Sequence, residues 1–202
     1  MLCFEGCFFH FAAALYKNIC EKGLKQNYYQ SETLVRTIVK EIVALAFAPA
    51  NAIRGIYEEI KTAYAGTIAE NERLQQYLDD YFEHTWMNSD EKIASWSVYQ
   101  QDQRPNNSCE GWHHRFKELL AKKRKIWAYI TTLQNEQQAT DLVLNQLSHG
   151  VQVVPQQRKN LKDGNTQVAR IQGLYDNGNL PPADGMSSGY RLVKALATHV
   201  PN

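Results

Sequence analysis

The chain has 202 residues, of which 44% are hydrophobic and 21% charged, a composition that excludes wholesale disorder and collagen-like order. Its 22 basic residues almost balance its 21 acidic ones, so only a local patch of charge could attract nucleic acid. No apolar stretch reaches the length of a membrane span, and the 4 cysteines, without a recognisable secretory signal, indicate an intracellular protein with reduced thiols.

Helical periodicity dominates the first half of the chain. Apolar residues recur at steps of three and four in four segments, which predict helices over 8–22, 31–48, 51–64 and 68–85. Gly23 is expected to end the first helix, while Ser31 caps the second and Pro49 stops it. Residues 88–106 are rich in turn-forming side chains and are predicted to be irregular.

Helices are predicted to resume over 107–120 and 126–147. The composition changes after Gly150, where 156–175 is polar and weakly periodic and only 190–199 is predicted as a short final helix. The strand candidates are confined to 3–9 and 151–154. The sequence therefore predicts a mainly α fold, with at most a short β element at the N-terminus and a less ordered C-terminal tail over 148–202.

Charge is concentrated in two segments of opposite sign. Residues 57–91 hold nine acids and two bases, whereas residues 113–125 hold six bases and one acid. The basic side chains could bind the phosphates of DNA, or they could be solvated cations at the C-terminal end of the helix predicted to finish near Leu120. They are Arg115, Lys117, Lys122, Lys123, Arg124 and Lys125.

Cys7 and His10 form a C-x2-H pair near the start of the chain. Thiolate and imidazole are both zinc ligands, and this spacing at a helix start lets the two side chains face one point. A structural zinc site needs four ligands, however, and the sequence offers no second pair of this kind. The spacing alone therefore favours a packed cysteine and a hydrogen-bonded histidine.

Glu110 lies among residues that could bind a metal. On a helix it would share its face with His113, His114 and Lys117. A carboxylate among imidazoles and a lysine suits a divalent ion beside a nucleic-acid backbone. The alternative is that Asn107 caps the helix and Glu110 closes a capping-box turn three residues later, and the spacing alone favours this cap.

Four motifs, in this order, resemble the Mutator-like element transposases, most closely the branch found in animal genomes. The similarity extends over about residues 1–140, and the combination of motifs is more specific than any one of them. The motifs are GCFFHF at 6–11, LAFAP at 45–49, YFEHTW at 81–86 and NNSCEGWHHRF at 106–116, followed by matching positions at Ile126, Trp127, Ile130, Leu133, Glu136 and Gln137.

The resemblance implies a ribonuclease-H-like fold interrupted by a helical insertion, and a site of three carboxylates that binds two Mg²⁺ ions, or Mn²⁺ in their place. Glu110 would be the third of these catalytic, metal-binding carboxylates, which outweighs a capping role alone. Cys7 and His10 would be the family's C-x2-H pair, with zinc as a weaker expectation. DNA would be the partner, contacted by the basic segment around Arg115 and Lys117, and the protein would be nuclear.

The same resemblance assigns residues 1–147 to part of a transposase catalytic domain. It divides them into the C-x2-H segment with the first helix (1–30), the helical insertion (31–106), and the helix bearing the final Glu with its successor (107–147). The family's other two carboxylates, both Asp, precede the C-x2-H, where this chain has only Glu5. The catalytic core is therefore expected to be incomplete and inactive alone.

Three functions of different class follow from these patterns. The chain is a fragment or degenerate copy of a Mg²⁺-dependent transposase, without a function of its own. Alternatively, it is a host-adopted helical module that binds DNA or a protein through its basic or its acidic segment. In the third, the chain is part of an enzyme whose missing N-terminal half comes from another chain. The expected protein partners are that missing half or further copies of this chain, and no membrane partner is expected.

Overall fold

The computed structural model describes residues 8–30, 33–101, 116–120, 126–151 and 159–200; for residues 159–163 it describes the backbone only. Within these residues the regular structure is helical throughout and contains no strand, which confirms the mainly α prediction. Phe8 and Phe9, the described end of the first strand candidate, belong to a helix. Residues 3–7 and 152–154, which complete the two strand candidates, lie outside the described residues.

The described residues form eleven α-helices, α1 to α11, and a short helical segment, 116–120, that follows α8 in the chain and precedes α9. They are α1 (Phe8–Glu21), α2 (Lys25–Tyr29), α3 (Leu34–Ala44) with a 3-10 turn (Leu45–Phe47), α4 (Ile53–Ala63), α5 (Ala65–Ala69), α6 (Glu72–Gln76), which continues through a π-helical segment (Tyr77–Glu83) into α7 (His84–Trp86), α8 (Asp90–Trp96), α9 (Ile126–Ser148), α10 (Lys159–Asp176) and α11 (Ser188–Ala197).

The chain divides into two compact units. The first consists of Met1–Pro105 and Lys162–Asn202, and the second of Asn106–Leu161. The sequence-based division into 1–147 and a tail differs from this one, since helices beyond residue 162 belong to the first unit.

The ends of α1 and α3 follow from local chemistry. Gly23 adopts a φ of +73°, and the N–H of Leu24 donates to the carbonyl of Ile19 at 3.0 Å, which is the turn that glycine favours after a helix. Thr33 caps α3, since its side chain accepts from the N–H of Arg36 at 3.3 Å. The predicted cap, Ser31, lies outside the described residues.

Two predictions for the middle of the first unit differ from the structure. The single helix predicted over 68–85 is interrupted, because Asn71 starts a new helix by accepting from the N–H of Leu74 at 3.1 Å. The segment predicted as irregular contains α8, which begins where Ser89 accepts from the N–H of Lys92 at 3.1 Å. A side-chain cap of this kind supports a helix too short to show a clear apolar period.

The core of the first unit combines aliphatic faces with a cluster of aromatic rings. Trp96 stacks on Phe11 with ring centroids 4.6 Å apart, and its indole N–H donates to the carbonyl of Trp86 at 2.8 Å. The helical period correctly predicts the buried faces of α1, α3 and α4. Leu34 also has the spacing of the apolar face of α3, but it is exposed at the first position of that helix.

The two C-terminal helices complete this core. Tyr190, Leu192 and Val193 of α11 are buried, and α11 packs on α3 and α4. Gln172 of α10 is buried and donates from its amide nitrogen to the carbonyl of Phe47 at 2.9 Å. The short final helix predicted over 190–199 corresponds to α11. Helix α10 instead occupies a segment predicted to be less ordered, because a polar residue at a core position weakens the apolar period without preventing packing.

In the second unit, the 23-residue helix α9 is the longest described element. Phe116, in the helical segment 116–120, meets the ring of Tyr129 with centroids 6.0 Å apart. Several large apolar side chains of α9 are exposed, including Trp127 at 74% and Leu144 at 58%. No helix of the described residues is both long enough and apolar enough to cross a membrane.

Candidate functional site

Most of the site residues that the sequence predicts lie outside the described residues. His10 and Lys117 are the two exceptions. Those outside are Cys7, Glu110, Arg115, Lys122, Lys123, Arg124 and Lys125. The roles predicted for them therefore stay predictions.

His10 lies in the first turn of α1 and is exposed. Its ring meets the edge of Phe9 with centroids 5.7 Å apart. Lys117 is exposed on the helical segment 116–120, where it can reach a ligand in solution. Among the described residues, no group of three or more His, Cys, Asp or Glu side chains is brought together as a metal site.

The acidic segment uses two of its carboxylates to hold a lysine. Lys61 of α4 donates to Glu83 at 2.6 Å and to Asp79 at 3.2 Å, and the hydroxyl of Tyr57 donates to the same Glu83 oxygen at 3.0 Å. Asp79 and Glu83 both belong to the π-helical segment. Their pairing joins that segment to α4, so these acids have a structural role.

Burial and pairing act in opposite directions on Lys61. Partial burial lowers its pKa, but the hydrogen bonds that Lys61 donates to Glu83 and Asp79, together with the charges of both carboxylates, raise it more, so that the pKa lies above its ordinary value. Burial, followed by the charge of Glu83, raises the pKa of Tyr57. Lys61 is therefore charged and Tyr57 neutral under physiological conditions.

A different arrangement lies where α3 packs on α11. Here a cavity of about 450 Å³ is lined by residues from both helices. Three of its side chains are cations and one is a carboxyl group, so basic groups dominate the lining. The lining residues are Arg36, Thr37, Lys40, Glu41, Lys194, Ala197 and Thr198.

Glu41 is the deepest of these groups. It is only 1% exposed, and its Oε1 accepts from the hydroxyl of Tyr64 at 2.9 Å. Its second carboxyl oxygen, Oε2, is buried without a hydrogen-bond partner, and so is the hydroxyl of Tyr190. Burial raises the pKa of Glu41, and the hydrogen bond from Tyr64, the charge of Lys194 and the nearby hydroxyl of Tyr190 oppose that shift only in part.

Two of the three cations of the cavity lie over aromatic rings. Lys194 lies over the ring of Tyr190, 5.5 Å from its centroid, and Arg36 lies 5.9 Å from the centroid of Tyr28. Burial, together with the charge of Arg36, lowers the pKa of Lys40. Within the described residues, neither Lys40 nor Lys194 forms an ion pair with a carboxylate, so their charge is available to a ligand.

Sequence reasoning did not find this cavity. Its two halves lie far apart in the chain, and the second half was predicted to belong to a tail. A partial signal was present, since Arg36 and Lys40 lie one helical turn apart on α3 and Glu41 lies beside its apolar residues.

No protein-family model matches the chain, and comparisons with curated proteins and with solved structures find no match. The relationship to Mutator-like transposases therefore stays a prediction from the four sequence motifs.

Proposed function

We propose that this chain is a helical part, or a degenerate copy, of a Mutator-like DNA transposase, and that it binds DNA without cutting it. The supporting observation is that residues of three separate motifs pack together. Phe8 of the first motif meets Phe47 of the second with ring centroids 4.6 Å apart. Phe11, also of the first motif, meets Trp86 of the third edge-on at 5.0 Å.

Such contacts place residues of three motifs in one core. Aromatic pairs in offset or edge-on contact stabilise a core beyond the area that they bury. The first three motifs thus form one packing unit within the first compact unit, which supports treating the resemblance as a single feature rather than three coincidences. In this proposal the second and third motifs belong to the family's helical insertion, and the first to the C-x2-H segment that precedes it.

DNA binding is assigned to the basic segment that follows the fourth motif. Lysine and arginine bound to phosphates release condensed counterions, which supplies affinity without sequence selectivity. Lys117 is exposed, and five further cations lie at Arg115 and within 122–125. We propose the nucleus as the location, since DNA is the partner.

Cleavage is not expected from this chain alone. Two-metal phosphodiester chemistry needs several carboxylates to fix both ions and to align the attacking and leaving oxygens. By resemblance, the chain carries one of three, Glu110. Glu110 would contribute to a Mg²⁺ or Mn²⁺ site only together with two Asp from elsewhere.

The binding assignment is tested with two matched triple variants. In the first, Lys122, Lys123 and Lys125 become Gln; in the control, Lys17, Lys22 and Lys25 of the first unit become Gln. Both variants lose three positive charges, so a general effect of net charge weakens duplex binding equally in both. We expect a loss of affinity for labelled duplex DNA only in the first variant, measured by fluorescence anisotropy.

Equal losses in the two variants, or no binding of duplex DNA by the parent chain, would contradict the assignment. A cleavage assay on end-labelled duplex DNA tests the second half of the proposal, with Mg²⁺ and Mn²⁺ in separate reactions. We expect no product. Metal-dependent cleavage that disappears in Glu110→Gln would show an active enzyme instead.

The alternative of a host-adopted module without catalysis is distinguished by its partner. If the parent chain binds no DNA but captures a basic polypeptide, the acidic segment 57–91 becomes the candidate surface. The pairing of Asp79 and Glu83 with Lys61 already uses part of that charge within the chain, so we place this alternative second.

A further inference from the structure

The cavity between α3 and α11 has the features of a binding site for a small anion. Its volume of about 450 Å³ lies within the range of small-molecule sites. Three cations from two helices line it, namely Arg36, Lys40 and Lys194. Since Lys40 and Lys194 form no ion pair among the described residues, an anion in the cavity would not have to displace a carboxylate from either of them.

The buried end of the cavity supplies a second, independent observation. Glu41 lines it, is 1% exposed and leaves Oε2 without a partner. Buried polar atoms in folded proteins are nearly always hydrogen-bonded, and an exception calls for a ligand, an ion or a water molecule. Glu41 Oε2 and the hydroxyl of Tyr190 are both such exceptions, and the two side chains lie close enough for each to shift the pKa of the other.

We propose that this cavity binds the phosphate group of a small phosphomonoester, with Lys40, Lys194 and Arg36 compensating its charge and Glu41 Oε2 at its base. The proposal does not rest on DNA binding by the basic segment, because that segment belongs to the second compact unit and the cavity to the first.

A protonated Glu41 is compatible with a bound phosphate, whereas a charged Glu41 would repel it. In that form the carboxyl donates a hydrogen bond through Oε2 while Oε1 continues to accept from Tyr64, so the buried group complements a phosphate oxygen rather than repelling it. Burial raises the pKa of Glu41 and so favours this form. An amine ligand, by contrast, would bring a fourth positive charge beside three existing ones.

Phosphate suits the cavity better than a simple carboxylate does. A phosphomonoester carries up to two negative charges and three acceptor oxygens, which several cations and one donor can share. Its source could be a small metabolite, free inorganic phosphate or the backbone of DNA. The three sources share one chemistry, and the size of the cavity favours the small ester.

The test measures binding of three probes to the full chain by isothermal titration calorimetry. The probes are glucose 6-phosphate, inorganic phosphate and, as the uncharged match, glucose. We expect saturable binding of glucose 6-phosphate, weaker binding of inorganic phosphate and none of glucose. Lys40→Gln and Lys194→Gln should each weaken glucose 6-phosphate binding by about tenfold, the effect of removing one charged hydrogen bond.

Lys17→Gln, on the exposed face of α1, is the matched control and should leave the dissociation constant unchanged. Glu41→Gln keeps a donor at the base of the cavity and should bind glucose 6-phosphate at least as tightly as the parent. Thermal unfolding of each variant verifies that it is folded. Lys40 is partly exposed and Lys194 is exposed, so replacing either one leaves the core intact.

Several results would overturn the proposal. They include no saturable binding of either phosphate probe, an equal loss in Lys17→Gln, and loss of binding in a folded Glu41→Gln. If only a DNA duplex binds, and loses affinity in Lys194→Gln, the cavity holds a backbone phosphate and the small ester is excluded. The DNA outcome is separable from the proposed function, because the latter predicts losses on substitution within the basic segment 115–125 and none in Lys194→Gln.

Discussion

Glu41 and Lys61 are two ionisable residues whose pKa values are raised by different causes: burial for Glu41 and pairing with carboxylates for Lys61. Lys61 is partly exposed and lies between two carboxylates, which hold its charge. Glu41 is buried, and among the described residues no cation lies within ion-pair distance of it. Removing a carboxylate from water without pairing it disfavours its charged form, so Glu41 links the stability of the first unit to pH.

We predict that stability falls as Glu41 ionises. A carboxyl whose folded pKa is raised above its ordinary value of 4.5 contributes stability that is complete below that value and is lost as pH rises through the folded pKa. Urea unfolding at pH 4 and pH 7 should therefore show a smaller decrease in the free energy of unfolding for Glu41→Gln than for the parent. Glu70→Gln, an exposed control, should follow the parent, and identical pH dependence of all three would contradict the prediction.

At the scale of elements, the contact between α4 and α11 depends on the absence of a side chain. A Cβ atom added at Gly189 of α11 would lie 2.7 Å from Cδ1 and 2.8 Å from Cγ1 of Ile56. Ile56 is 2% exposed, so it has little room to move. Glycine is needed here for the close approach of two helices.

We predict opposite signs for two Gly→Ala substitutions. Gly189→Ala should destabilise the protein by about 1–3 kcal/mol, the usual cost of overpacking a core. Gly55→Ala, on α4 with nothing within 4 Å of the added Cβ, should stabilise it by about 0.5–1 kcal/mol, because alanine favours a helix interior more than glycine does. Chemical unfolding measures both, and a Gly189→Ala variant as stable as the parent would refute the packing described.

The buried residues that the sequence predicts well are those whose apolar spacing repeats within a single helix. Phe11, Leu15 and Ile19 recur at helical spacing and are all buried, because one amphipathic face has one direction in which to pack. Helix α8 escaped prediction because its stability depends on a cap at Ser89, and α10 because Gln172 enters the core through a hydrogen bond to the backbone.

The cavity could not be predicted for a related reason. Its cations lie on α3 and on α11, and nothing in the spacing of either helix shows that they face each other. Among the predicted site residues, only His10 and Lys117 lie among the described residues. The sequence motifs therefore support the proposed DNA-binding function, whereas the cavity is a result of tertiary packing alone.

At the scale of the whole molecule, the C-terminal helices belong to the core of the first unit. We predict that Leu192→Ala, at a position with 0% exposure, costs about 2–5 kcal/mol, as in other cores. Leu144→Ala in α9, where the side chain is 58% exposed, should change the free energy of unfolding by less than about 0.5 kcal/mol. Similar small effects for both would mean that α11 contributes little to the core.

The proposed function depends most directly on phosphate binding by the basic segment. The decisive measurement is the affinity of the full chain for a labelled DNA duplex over a series of salt concentrations. Each phosphate-binding cation that is replaced should reduce the slope of log affinity against log salt by about 0.9, so replacing Lys122, Lys123 and Lys125 with Gln should reduce it by about three. We expect that reduction together with an unchanged slope for the Lys17, Lys22 and Lys25 control. An affinity that does not depend on salt, or equal slopes for the parent and both variants, would contradict the account.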